Sequence, residues 1–155
     1  MPVSDWTPNT TDVAARIPTR TADDVGNLKN DFDQETTPTA VQVTRVIESA
    51  QRELLSRLPD TLPDDELIEN AKDLASLKAA MLVELHYFPR QVGSGESPYR
   101  QFKELYDEDL KALMEKIEEM GGGVDEDTGE VVGPTMRPAG HFPDPADSIG
   151  LETLW

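Results

Sequence analysis

The sequence predicts an all-α protein, an elongated bundle of three long helices preceded by a short one. Two observations carry that expectation. Between residues 39 and 120, three stretches repeat apolar residues at steps of three and four, each opened by a capping residue and closed by proline or glycine. The flanks differ from this middle part: eight of the 12 prolines lie outside it, and residues 121–155 hold 7 Gly and 4 Pro, a composition that builds no core of its own. The chain therefore divides into an N-terminal arm with a short helix (1–38), a helical domain (39–120) and an extended Gly/Pro-rich tail (121–155).

In the first helix Thr39 caps and Gln42, three residues on, completes a capping box; Val43, Val46, Ile47, Ala50, Leu54 and Leu58 form its apolar stripe until Pro59. Asp64 or Asp65 opens the second after Pro63, with Leu67, Ala71, Leu74, Lys78, Met81, Leu85 and Phe88 as its inner face, ending before Pro89 because a residue preceding proline avoids the α region. Ser97 and Pro98 open the third, which runs through Phe102, Leu105, Tyr106, Leu113, Ile117 and Met120 to the triplet Gly121-Gly122-Gly123. At 1.5 Å per residue the three would be roughly 30, 37 and 34 Å long. Upstream, Thr11-Asp12 would cap a short helix containing Val13, Ala14, Ala15 and Ile17. Residues 18–38 read as an extended or hairpin arm with a turn at Val25-Gly26-Asn27-Leu28. So thin a bundle gains from packing against further copies of itself.

Charge and composition exclude several functions. With 31 acidic and 14 basic side chains, a net charge of −17, the protein is unsuited to gripping DNA, RNA or anionic lipid, all of which are held mainly by Lys and Arg. Having no cysteine, it has no disulfide, no thiol nucleophile and no thiolate metal site. No apolar run approaches the roughly 20 residues that span a bilayer, and the opening MPVSDWTPNTTD lacks the basic and apolar regions of a signal peptide. The expectation is a chain made and kept in a cytoplasm, with no membrane partner.

The reactive inventory is equally thin. The two histidines, His86 near a helix end and His141 in the tail, cannot build an HExxH metal site. Gly93-Ser94-Gly95 lacks the preceding strand of a nucleophile elbow and reads as a flexible connection. Asp125, Asp127 and Glu130 lack the Gly and Glu that complete a calcium loop, and the glycine triplet lacks the Lys-Ser/Thr of a phosphate loop. No catalytic residue, cofactor or metal is expected. Two features invite a role in binding. Glu104, Asp107, Glu108, Asp109, Glu115, Glu118 and Glu119 crowd the third helix, either as a solvated face balanced by Lys103, Lys111 and Lys116 or as a negative wall that faces DNA without binding it. Residues 133–155 set Met136, Phe142, Ile149, Leu151, Leu154 and Trp155, with Arg137 among them, on a backbone of four prolines and three glycines, as anchors for pockets on a partner.

The stretches PTAVQV at 38–43, AAMLVELHYFP at 79–89 and SPYRQFKELYDEDL at 97–110, with DVAARI at 12–17 and RTADDV at 20–25, resemble the head-to-tail adaptor (connector, head completion) proteins of long-tailed bacteriophages, actinobacteriophage type. The resemblance covers most of residues 10–115; the 18–38 arm departs from it, with Phe32 and acidic neighbours in place of a more Gly-rich hairpin. It implies a structural virion protein, not an enzyme, assembled as a homo-oligomeric ring, usually of twelve copies, beneath the portal protein. The ring extends the channel through which packaged double-stranded DNA passes without specific binding, and it receives a stopper or tail terminator protein on the tail side. On this reading the tail anchors Met136, Arg137, Phe142, Ile149, Leu151, Leu154 and Trp155 wedge between portal subunits, while Glu104, Asp107, Glu108, Asp109 and Glu115 line the channel. The protein would reside at the portal vertex of the virion, after a period in the host cytoplasm. The competing reading is an acidic decoy that imitates DNA to occupy a DNA-binding protein, which would need carboxylates spaced like phosphates over one exposed face.

Overall fold

The computed structural model describes residues 6–121, a mainly helical chain with no strand among those residues. Five α-helices follow one another among these residues: α1 Thr10–Arg16, α2 Ala40–Leu55, α3 Asp65–Tyr87, α4 Pro89–Ser94 and α5 Tyr99–Gly121, with a 3-10 turn at Pro18–Arg20.

Capping fixes most of the boundaries. Thr39 and Gln42 close the expected box on α2: the Gln42 amide donates to Thr39 Oγ1 at 3.4 Å and the Thr39 amide to Gln42 Oε1 at 2.9 Å. Asp64 caps α3 through the Glu66 amide. The cap of α1 lies earlier than Thr11-Asp12: Asn9 is the capping residue and Asp12 its reciprocal partner, each accepting the other's amide at 2.8 Å. Nor does α2 run to Pro59. It ends at Leu55, where the Ser56 hydroxyl donates to the Glu53 carbonyl at 2.6 Å and competes with the helical ladder.

The third long helix α3 is the centre of the fold, packed by α1, α2, α4 and α5. Val43, Val46, Ile47 and Ala50 of α2 meet Ala79, Ala80 and Val83 late in α3, whereas Leu54 shares a cluster with Leu67, Ala71 and Leu74 from its start. The two helices are therefore antiparallel. On α5, Lys116 reaches Glu66 at 2.7 Å while Ser97, just ahead of α5, bonds Glu84 late in α3, so α3 and α5 are antiparallel too and α2 and α5 run in the same direction. Being surrounded, α3 buries far more than one stripe. Ile68, Ala75, Leu77, Ala79, Ala80 and Val83 join the expected inner face, and Leu85, assigned to that face by periodicity, is instead 39% exposed. Leu105 and Met120 of α5 likewise face outward at 43% and 49%, because the buried line of α5 runs through Tyr106, Leu110, Leu113 and Ile117.

Of the two forms expected for the arm between α1 and α2, residues 22–28 take the hairpin, and the arm folds back on the domain and is not extended. Its tight turn lies two residues ahead of the expected place: Gly26 donates to the Asp23 carbonyl at 2.9 Å and Asp23 to the Asn27 carbonyl at 3.0 Å, with Gly26 at a φ of 91° that suits glycine. A lone antiparallel bridge joins Ala22 and Leu28. The Asp23 carboxylate accepts from the Asn27 and Val25 amides, and the Asn27 bonds hold it below the ordinary carboxylate range. Lys29 pairs with Asp33 at 2.7 Å and with Glu35, and Phe32 inserts among Val13, Ile17 and Val43. Between α3 and α5, a segment expected to be a loose connection forms α4: Pro89 ends α3 and opens the next helix, where its missing N–H costs nothing.

One buried polar atom has no partner among the described residues. Tyr106 is 3% exposed, and its hydroxyl makes no hydrogen bond. Burial, reinforced by the nearby Glu53 carboxylate, pushes the phenol up to about 12. The folded state thus holds the proton more tightly than the unfolded chain, whose phenol titrates near 10; the resulting stability is complete below pH 10 and declines as pH rises from 10 toward 12. Tyr106→Phe removes the unpaired hydroxyl and is expected to be neutral or to stabilise by about 1 kcal/mol at pH 7. The gap should change further in favour of phenylalanine above pH 10 in urea titrations followed by circular dichroism.

Candidate functional surfaces

A charge buried in the heart of the domain organises its surroundings. In the run AAMLVELHYFP, Glu84 stands among apolar neighbours on the arm-facing side of α3 and is completely buried. Arg20, at the end of the 3-10 turn, meets it with two parallel bonds: Nε donates to Oε1 at 2.7 Å and a terminal nitrogen to Oε2 at 2.8 Å. Ser97 adds a third donor to Oε2 at 2.7 Å while its oxygen accepts the Tyr99 amide at 3.1 Å, so the residue that starts α5 is also a ligand of the carboxylate. Arg20 further donates to Gln91 of α4, and its guanidinium lies 3.9 Å from the centroid of the Phe88 ring. Arm, α3, α4 and α5 are thus tied at one point. A second arginine repeats the device nearby, Arg16 Nε donating to Ser76 Oγ at 2.6 Å. Both charges of the Arg20–Glu84 pair are spent on each other, which suits a fastener and leaves no free acid or base there. Sequence reasoning passed over Glu84; the signal was a lone carboxylate inside an apolar helical run, which burial would force to find a cation.

The acidic candidates on α5 are all exposed and do not act as one group. Helical spacing sets Glu104, Glu108 and Glu115 on the face opposite the buried line, with Lys111 between the last two. Asp107 is drawn aside by Lys103 at 3.0 Å, and that bond raises the Lys103 pKa. Asp109 lies on the other edge, where Asn70, Asp73, Leu74, Ala112, Leu113 and Lys116 complete a cleft of about 220 Å³ between α3 and α5. The Lys116 pKa is raised by its bond to Glu66. Cations are therefore interleaved with the carboxylates along the whole helix.

The remaining sequence candidates divide into two sets. His86 is exposed in the last turn of α3. Gly93-Ser94-Gly95 is the end of α4, not a loose connection: Gly95 takes the left-handed cap at φ 81° and Ser94 Oγ donates to the Gln91 carbonyl at 3.2 Å. The tail anchors Met136, Arg137, Phe142, Ile149, Leu151, Leu154 and Trp155, together with His141 and the Asp125–Glu130 turn, lie outside the described residues. Among the described residues no group of three His, Asp or Glu side chains converges as a metal site, and no helix is long and apolar enough to cross a membrane. No family model, no curated protein and no solved structure matches the chain.

The clamp makes a quantitative expectation. Glu84→Ala strands a buried guanidinium and should cost about 3–5 kcal/mol. The double variant Arg20→Met with Glu84→Leu, which removes both charges and keeps apolar volume, should recover most of that loss. Thermal unfolding of the two proteins measures the difference.

Proposed function

We propose that this chain is a structural adaptor subunit of a long-tailed phage virion, forming a homo-oligomeric ring, of twelve copies on the family pattern, between the portal and the tail-side stopper or terminator. What carries the reading is where the stretches that resemble such adaptors meet. Arg20 begins one, Glu84 and Phe88 belong to a second and Ser97 begins a third, and these four residues make the clamp that joins arm, α3 and α5. The resemblance thus describes one connected framework of the fold. A framework of ion pairs and caps, with every buried charge spent internally, suits a building block whose function is its shape and its outer surfaces.

The charge pattern supports the adaptor over the decoy. A mimic of DNA needs unbroken negative charge, yet Lys103, Lys111 and Lys116 interrupt the acidic residues of α5. A channel wall needs only enough negative charge to keep DNA from adhering, and mixed charge on exposed side chains meets that requirement. On this reading the acidic part of α5 that includes Glu104 borders the channel, and the C-terminal anchors from Met136 to Trp155 seat on the portal.

Light scattering after size exclusion, on the protein alone and mixed with the portal protein of the same phage, should give a ring bound to portal; a single copy that ignores portal and captures a DNA-binding protein would establish the decoy. Deleting residues 134–155 should abolish portal binding and spare the helical circular-dichroism signal. Reversing Glu104, Asp107, Glu108 and Asp109 to lysine should slow packaging and ejection of the genome, and unchanged yields of infectious particles would remove α5 from the channel.

A further inference from the structure

The outward faces of α2 and α5 carry matching charge patterns of opposite sign. On α2 the core-facing residues are Val43, Val46, Ile47, Ala50 and Leu54, so Arg45, Glu48 and Arg52 form a line on the solvent side, and all three are exposed. On α5 the core-facing residues Tyr106, Leu110, Leu113 and Ile117 leave Glu108, Lys111 and Glu115 in the corresponding line, also exposed. The first reads positive, negative, positive at steps of three and four residues; the second reads negative, positive, negative at the same steps. Each line is about 10 Å long, seven residues at 1.5 Å.

Little inside the chain uses these groups. Among the described residues Arg45 has no ion pair or hydrogen bond, Arg52 reaches only the Glu48 carbonyl at 3.4 Å, and Lys111 meets Glu115 at a loose 3.8 Å. Direction matters as well. Positions at steps of three and four on two helices come opposite each other, like with like, when the helices lie parallel and in register. Because α2 and α5 are both antiparallel to α3, they run the same way, so α2 of one copy can lie parallel to α5 of another only if the two copies share an orientation.

We infer that Arg45, Glu48 and Arg52 on α2 of one copy pair with Glu108, Lys111 and Glu115 on α5 of the next, a head-to-tail contact between identical subunits. The two surfaces are different and complementary, so the contact is heterologous and repeats around a ring when its rotation closes. Each exposed pair alone is weak, and the pattern acts chiefly by fixing register and orientation against the general repulsion of acidic copies. The inference rests on the ring reading and names its subunit contact; it also removes Glu108 and Glu115 from the channel wall and leaves Glu104 there.

The test uses the full chain with and without portal protein, with mass read by light scattering and fold by circular dichroism. Wild type should assemble. R45E/R52E and E108R/E115R should each remain single with native helical signal, and an equimolar mixture of the two should assemble again, since each supplies the surface that the other has reversed. E108R/E115R is less acidic than wild type, so its failure to assemble would not be general repulsion. The chain has no native cysteine, which permits a check of register: mixed under oxidising conditions, Arg45→Cys and Glu108→Cys proteins should form a disulfide-linked pair, and Arg45→Cys with Glu115→Cys should not. If either charge-reversed variant assembles like wild type, or the mixture fails to recover, the α2–α5 pairing is overturned while a wild-type ring leaves the adaptor reading standing. A wild type that stays single under both conditions overturns both.

Discussion

A carboxylate removed entirely from water must be matched in charge and in hydrogen bonds, and Glu84 makes that demand at the point where four parts of the chain converge. Arg20 supplies the charge through a bidentate fork, Ser97 supplies the remaining donor, and the flat guanidinium rests on Phe88. Such a pair adds little net stability over an apolar replacement, because desolvation offsets most of the attraction. Its effect is on geometry. The arm can close over α3 in only one register, and α5 can start in only one place, because the hydroxyl that caps it is also held by the carboxylate.

The position of α3 follows from this arrangement. A helix flanked on several sides cannot keep a single apolar stripe, and α3 accordingly buries alanines and leucines on several sides. The outer helices α2 and α5 each keep one buried line and one wet face, so the surfaces available for function belong to them. Those faces carry interleaved charge of both signs. On a highly acidic protein the cations there serve to define which acidic neighbours remain free and how a second surface can approach.

Legibility from the sequence differed by element for physical reasons. The capping box of α2, the start of α3 at Asp64 and its end before Pro89, and the Ser97-Pro98 opening of α5 are local effects, set by side chains within a few residues of the backbone they satisfy, and each stands where the sequence points. The short helix α4 was missed because Pro89 is as much a first residue of one helix as the terminator of another. The hairpin of the arm is a local feature, but its packing on the domain depends on contacts far along the chain, Arg20 with Glu84 and Phe32 with Val13 and Val43, that no local pattern reveals.

The sequence by itself determined the all-α class, the acidic surface, the lack of cysteine chemistry and the starts of the long helices, since composition and capping need no distant partner. Only the tertiary structure decided that Leu85, Leu105 and Met120 face solvent while Glu84 lies in the core, that the arm packs on α3, and that the acidic residues of α5 are divided among a lysine partner, a cleft and an outer line. Those outcomes depend on which faces of α3 are occupied and by what. That is a property of three-dimensional packing, in which the cost of burying one charge is met by an arginine more than sixty positions away.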